Sequence, residues 1–224
     1  MLDLWERGAR RHPLDRALLL LDGVCPDQSL PELADVSIGQ RDQALIAWRS
    51  AVFGSVMPGY VDCPACQTRL EFALDGDALR SGTDDVQFEV DGLQVRRPTS
   101  RDVAEALNEA DPNRAIYRLA QRCCVGSKGG LPTLSAAQLV KIESALAQAD
   151  AAADIALNFC CEQCGNNWQT AFDISDYLWR EIEVQAATLL SDVHTLARAY
   201  GWSEGEILAM SDARRSAYID RVLA

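Results

Sequence analysis

Apolar positions recur at helical spacing in the first part of the chain. Leu14, Leu18 and Leu21 share one helical face, and Leu45, Ile46 and Trp48 lie among the apolar positions of a second stretch that follows Gly39. Gly23, Pro26 and Pro31 mark a loop between them. The first 55 residues thus read as two or three helices, and residues 1–60 as an N-terminal helical segment.

The period then changes. Leu70, Phe72 and Leu74 alternate with Arg69, Glu71 and Ala73, which predicts a strand directly after a pair of cysteines. A β-hairpin follows: Val86, Phe88 and Val90 alternate, Asp91-Gly92 is a turn pair that tolerates positive φ, Leu93 and Val95 begin the return strand, and Pro98 closes it. Residues 61–98 form a segment of cysteine pair plus hairpin.

Helical signals return in residues 99–152, which read as an insertion. Thr99 offers an N-cap with Asp102 three residues on, Asp111-Pro112 starts a second helix, and Ser135 with Gln138 makes a capping box for a third. Gly126 to Gly130 is its most flexible loop, and no strand feeding a GxxxxGK[ST] pattern makes it a phosphate cradle. Residues 153–174 hold the second cysteine pair and its strand.

Residues 175–224 read as a C-terminal helical arm. Leu178, Ile182, Ala186, Leu189, Val193, Leu196 and Tyr200 recur every three or four residues along one long helix that stops near Gly201. Ser203 with Glu206 caps a short helix through Ile207 and Leu208, and Ser211 caps a last one carrying Tyr218, Ile219 and Val222.

Composition narrows the class. The chain has 224 residues, is 48% apolar and 24% charged, and contains no apolar run near the roughly 20 residues that span a bilayer. With no signal-peptide pattern at the N-terminus, a cytoplasmic protein without membrane partners is expected. The net charge of −12 opposes phosphate backbones. Lys128 and Lys141 are the only lysines, and the pairs Arg10/Arg11, Arg96/Arg97 and Arg214/Arg215 are each diluted by acids, so no nucleic-acid partner is expected.

The cysteines supply the distinctive chemistry. Cys63-Pro-Ala-Cys66-Gln-Thr-Arg-Leu-Glu-Phe-Ala-Leu-Asp75 aligns without a gap on Cys161-Glu-Gln-Cys164-Gly-Asn-Asn-Trp-Gln-Thr-Ala-Phe-Asp173, at a constant offset of 98 residues. Two knuckles, each followed by its strand, predict a split zinc ribbon in which Cys63, Cys66, Cys161 and Cys164 hold one structural Zn2+ per chain. Four thiolates close a tetrahedral shell and leave no position for a reactive water. Ordinary ribbons separate their pairs by roughly 15 to 20 residues. The long excursion here costs little, because loop closure grows only logarithmically and the intervening segments can fold themselves.

The repeat selects Cys161 over Cys160, which takes the place of Asp62, and it sets Gln67 where the second knuckle has Gly165, at some backbone strain. Unliganded thiols in a core and redox-active C-x-x-C pairs are the alternatives. Cys25, Cys123, Cys124 and Cys160 are expected to be buried small apolar residues.

Catalytic groups are sparse. The two histidines, His12 and His194, lie in no metal or nucleophile motif. His12 before Pro13 suits a helix cap or a surface place, and His194 a half-buried helical position with a structural hydrogen bond. The five tryptophans, Trp5, Trp48, Trp168, Trp179 and Trp202, suit core packing or partner contact.

The run from Phe172 to Glu183, the segment Asp192 to Leu208 and Arg214-Arg-Ser-Ala-Tyr-Ile resemble the T4-type baseplate hub assembly family of contractile phage tails and related injection systems. Leu4-Trp5-Glu6, Gly39-Gln-Arg-Asp and both cysteine pairs extend the resemblance to larger members with CPxCG-type knuckles. It implies a non-enzymatic assembly protein or chaperone, cytoplasmic or incorporated in the particle, whose partners are baseplate hub, spike or tail-tube-initiator proteins. Tyr200, Trp202, Glu204, Ile207 and Leu208 match the family pattern best and become the candidate partner-binding residues, with a purely intramolecular corner as the alternative.

The expected fold is α+β, mostly helical, with a split zinc ribbon, a β-hairpin and a C-terminal helical arm. A zinc-ribbon nucleic-acid adaptor is the alternative function, and an enzyme using His194 with nearby carboxylates a third.

Overall fold

The computed structural model describes residues 1–79, 87–126 and 130–223. Val86, Lys128 and the middle of the Gly126 to Gly130 loop lie outside the described residues. The chain divides into two compact units, His12–Asp176 and a smaller one made of Met1–Arg11 with Tyr177–Ala224. The described residues are mostly helical with three small antiparallel sheets, an α+β fold.

Helix α1 (Leu2–Gly8) belongs to the smaller unit. The larger unit opens with α2 (Pro13–Val24), where His12 caps the helix by accepting the Leu14 N–H on Nδ1 at 3.2 Å. A short α3 (Leu30–Ala34) begins at a Ser29/Glu32 capping box, and α4 (Ile38–Phe53) at Ser37. Leu19, Leu20, Leu21, Leu33, Leu45 and Ile46 are buried, and α2 packs on both α3 and α4.

The buried face of α4 includes Arg41, Asp42 and Arg49, and these charged residues need internal partners. Arg41 donates to Asp42 at 2.7 Å and to Ser100 at 3.3 Å. Arg49 donates to the carbonyls of Gly54 and Val56, each at 2.7 Å. These two bonds tie the end of α4 to the start of the next strand.

That strand, β1 (Val56–Asp62), pairs with β2 (Arg69–Asp75) in a hairpin whose turn is the first cysteine pair. The expected N-terminal helical segment is corrected here: residues 56–60 are strand. Gly59 permits the pairing, because a Cβ on it would stand 2.6 Å from the Phe72 ring across the ladder.

A second sheet combines β3 (Gln87–Val90) and β4 (Leu93–Arg96), joined by Asp91-Gly92 at φ 49° and 77°. Next come α5 (Ser100–Ala106), capped by Thr99 and Asp102, and α6 (Pro112–Cys123), capped by Asp111. The chain then adds a two-residue strand, β5 (Cys124–Val125), to the open edge of β4. Helix α7 (Ala136–Ala149), started by Ser135 and Gln138, completes a core of Val90, Val95, Ala120, Cys123, Leu134 and Ile142. The hairpin and the helices after it therefore share one apolar interior.

Asp102, almost fully buried, ties this region together. It caps α5, accepts from Arg96 through both oxygens and accepts from Arg122 at 2.9 Å. Burial opposes its ionisation, but the hydrogen bonds from Arg96 and Thr99 prevail and hold its carboxyl below the usual range.

The larger unit closes with β6 (Ile155–Cys160) and β7 (Asn167–Phe172), a hairpin around the second cysteine pair. Helix α8 (Ile174–Tyr200) leads into the smaller unit, followed by α9 (Glu204–Leu208) and α10 (Asp212–Leu223). In the smaller unit, the buried Arg215 of α10 donates to Asp192 of α8 at 3.0 Å and to Asp212 at 2.6 Å.

Candidate metal centre

The two cysteine pairs occupy equivalent turns. In the first, the Cys63 N–H donates to the Thr68 carbonyl at 2.9 Å and the Gln67 N–H to the Cys63 carbonyl at 2.8 Å. In the second, the Cys161 N–H donates to the Asn166 carbonyl at 2.9 Å and the Gly165 N–H to the Cys161 carbonyl at 2.7 Å. Every partner is displaced by the same 98 residues seen in the sequence. The flanking ladders follow the same rule, since Asp62 faces Arg69 and Cys160 faces Asn167.

Both turns need a left-handed residue. Gly165 adopts φ 73° and Gln67 φ 62°, so the first knuckle places a side chain where the second has none.

The hairpins meet at their turns. Cys63 Sγ lies 3.7 Å from Cys164 Sγ, Cys66 Sγ lies 3.6 Å from Cys161 Sγ, and all four sulfurs lie within 4.8 Å of one another. Cys63 and Cys161 are fully buried, whereas Cys66 and Cys164 are exposed. Behind the sulfurs, Phe72 of β2 packs on Phe159 of β6 at 5.1 Å, and Phe159 stacks on Trp168 of β7 at 5.5 Å. This aromatic contact joins the two hairpins through side chains alone. On the outer face, Arg69 pairs with Asp62 at 2.9 Å and lies 4.0 Å over the Tyr60 ring.

The electrostatics favour a cation. Hydrogen bonds from the Thr68 hydroxyl and N–H bring Cys66 down to about 6. Burial disfavours the Cys63 thiolate, but the N–H groups of Cys66 and Ala65 outweigh it and lower its pKa. Cys164 goes the other way. The Asn166 N–H favours its thiolate, yet contacts with Cys66, Cys161 and Cys63 together with desolvation push it up to about 12. Four thiolates this close repel, and full ionisation requires a positive charge among them. The cluster is a site that could hold one metal ion.

Of the remaining cysteines, Cys123 meets the expectation of burial and Cys25, Cys124 and Cys160 do not. Cys123 is buried, and desolvation pushes its thiol up to about 12. Cys25 and Cys124 are only half-buried, and Cys160 is exposed because it falls on the outward face of the alternation along β6.

His194 is exposed rather than half-buried. It stands about 200° around α8 from the buried Leu196, off the face formed by Leu178, Ile182 and Ala186. Among the tryptophans, Trp179 is buried and donates to Glu183 at 2.6 Å.

The candidate partner-binding residues form a corner. Tyr200 stacks on Trp202 with centroids 4.5 Å apart, and Tyr218 meets both edge-on at 5.7 and 4.9 Å. Gly201, at φ 71°, makes the reversal. Ile207 is fully buried, Leu208 half-buried, and Tyr200 and Glu204 are exposed.

Sequence reading missed the strands that precede each knuckle and the Phe72–Phe159 contact. The signal for β6 was present, since Ile155, Leu157 and Phe159 alternate with Ala156, Asn158 and Cys160. Among the described residues, no helix is long and apolar enough to cross a membrane. No protein-family model, curated protein or solved structure matches this chain.

Proposed function

We propose that this chain is a non-enzymatic assembly protein or chaperone of a contractile phage tail or related injection system, held together by one structural zinc ion. The metal reading rests on four thiols from two knuckles with equivalent hydrogen bonds, gathered within 4.8 Å. Soft thiolate sets select zinc, copper(I) or iron–sulfur clusters, and a single tetrahedral four-sulfur shell favours zinc. Zinc–sulfur bonds of about 2.3 Å put tetrahedral sulfurs roughly 3.8 Å apart, close to the two cross-hairpin contacts. Such a shell has no open position, so the ion's role is to clasp, and Cys63, Cys66, Cys161 and Cys164 hold it.

The assembly role rests on the sequence resemblance of the C-terminal arm and knuckles, and on surface character. Val52, Phe53 and Val56 are exposed around the α4–β1 junction, Tyr60 farther along β1, and Tyr200 at the C-terminal corner. Large exposed apolar residues on an otherwise acidic protein suit protein partners better than nucleic acid. Baseplate hub, spike or tail-tube-initiator proteins are the partners this reading names. Affinity purification from cells carrying a complete tail gene cluster is the test. Retention of hub or spike components supports it, and normal particle assembly after deletion of the gene contradicts it.

A further inference from the structure

The exposure pattern at the metal centre divides the four sulfurs into two equivalent pairs. Each hairpin contributes one fully buried cysteine, Cys63 or Cys161, and one more exposed cysteine, Cys66 or Cys164. Within a cluster whose four sulfurs all lie within 4.8 Å of one another, two contacts below 4 Å cross between hairpins, Cys66 with Cys161 at 3.6 Å and Cys164 with Cys63 at 3.7 Å, each joining a more exposed cysteine to a buried one. An oxidant arriving from solvent meets Cys66 or Cys164 first. The thiol positioned to resolve the product belongs to the other hairpin.

Resting on the metal reading above, we infer that the centre is a redox-convertible clasp, in which a hydroperoxide replaces the metal by two cross-hairpin disulfides, Cys66–Cys161 and Cys63–Cys164. In the first step the Cys66 thiolate attacks the peroxide. An S–O bond forms, the O–O bond breaks, and the departing alkoxide or hydroxide takes a proton from water, leaving Cys66 as a sulfenic acid. The Cys161 thiolate then attacks the Cys66 sulfur; the S–S bond forms, the S–O bond breaks, and hydroxide leaves to be protonated to water. Two sulfurs give up one electron each and the peroxide accepts both. With two ligands consumed the metal departs, and a second hydroperoxide oxidises Cys164 and Cys63 by the same steps.

The consequence is particular to crossed pairing. Disulfides within each C-x-x-C knuckle would leave no bond between the hairpins once the metal is lost. Crossed disulfides keep the hairpins joined across the long intervening segment, so oxidation trades an exchangeable clasp for a covalent one. Cys160, the exposed last residue of β6, competes for neither pair, because it lies outside the four-sulfur cluster.

The test is titration of the metal-loaded full-length chain, wild type and Cys160→Ser, with hydrogen peroxide. Metal release is followed with a chromogenic chelator, and disulfides are mapped by mass spectrometry without reduction. Full metal release with Cys63–Cys164 and Cys66–Cys161 as the dominant linkages, unchanged in Cys160→Ser, is expected. Linkages Cys63–Cys66 and Cys161–Cys164, linkages through Cys160, or no disulfide at excess peroxide would overturn the inference. A chain that carries no metal before oxidation refutes the metal reading itself, and peroxide treatment of that reduced chain still decides the pairing.

Discussion

Cys63 Sγ and Cys164 Sγ stand 3.7 Å apart although 101 residues separate them. No disulfide links them, and all eight cysteines are free. On the metal reading proposed above, an ion between these hairpins stabilises the larger unit. Replacing Cys164 by Ser is therefore expected to abolish stoichiometric metal binding. It should also remove at least about 3 kcal/mol of unfolding free energy, a fraction of the roughly 10–16 kcal/mol apparent for structural zinc in peptides. Denaturant unfolding with and without a chelator measures both effects. Cys160→Ser should change neither.

Gln67 and Gly165 offer a second comparison, since they fill one backbone role at φ 62° and 73°. Gln67→Gly should relieve left-handed strain and stabilise the chain by up to about 1 kcal/mol, offset in part by the greater freedom of glycine when unfolded. Gly165→Ala should destabilise it by about 1–2 kcal/mol. Thermal melts of the two variants, with opposite signs, check the assignment.

Asp42 brings a pH dependence. Burial raises its carboxyl to about 6 in spite of Arg41, with Asp173 and Asp150 adding to the rise. The folded chain thus binds this proton more tightly than the unfolded chain does. The contribution of Asp42 to stability is greatest below its unfolded value near 4 and declines as pH rises through about 6. Asp42→Asn should remove that decline, so the stability of wild type relative to variant should fall by roughly 2–3 kcal/mol from pH 4 to pH 7. Denaturation midpoints across that range measure it.

Asp102 tests the neighbouring network. Its carboxylate is 1% exposed and shared by Arg96, Arg122 and the Thr99 cap. Asp102→Ala leaves two guanidinium groups facing a void and should cost about 3–5 kcal/mol. Asp35→Ala, which breaks the exposed pair with Arg101, should cost less than about 1 kcal/mol.

Much of this was legible in the sequence where the signal is chemical and local. The caps at Thr99, Asp111, Ser135 and Ser203 all act as their residue types suggest, because a short polar side chain before a helix has one evident use. The cysteine repeat was legible for the same reason, down to the preference for Cys161. What escaped were features decided by partners far along the chain. Pro58 and Gly59 make β1 look like a loop, yet Gly59 is required by the Phe72 ring facing it. Cys124–Val125 is too short to register as a strand until β4 offers it an edge. His194 lies on the long helix next to Val193, but which arc of α8 is covered depends on packing that periodicity leaves undetermined.

The central claim concerns one ion shared by two hairpins, and the metal-to-chain ratio of the purified protein, measured by elemental mass spectrometry, tests it most directly. One zinc per chain in the wild type, lost in Cys161→Ser and kept in Cys160→Ser, is the predicted result. Two ions per chain, none, or a different metal would contradict it.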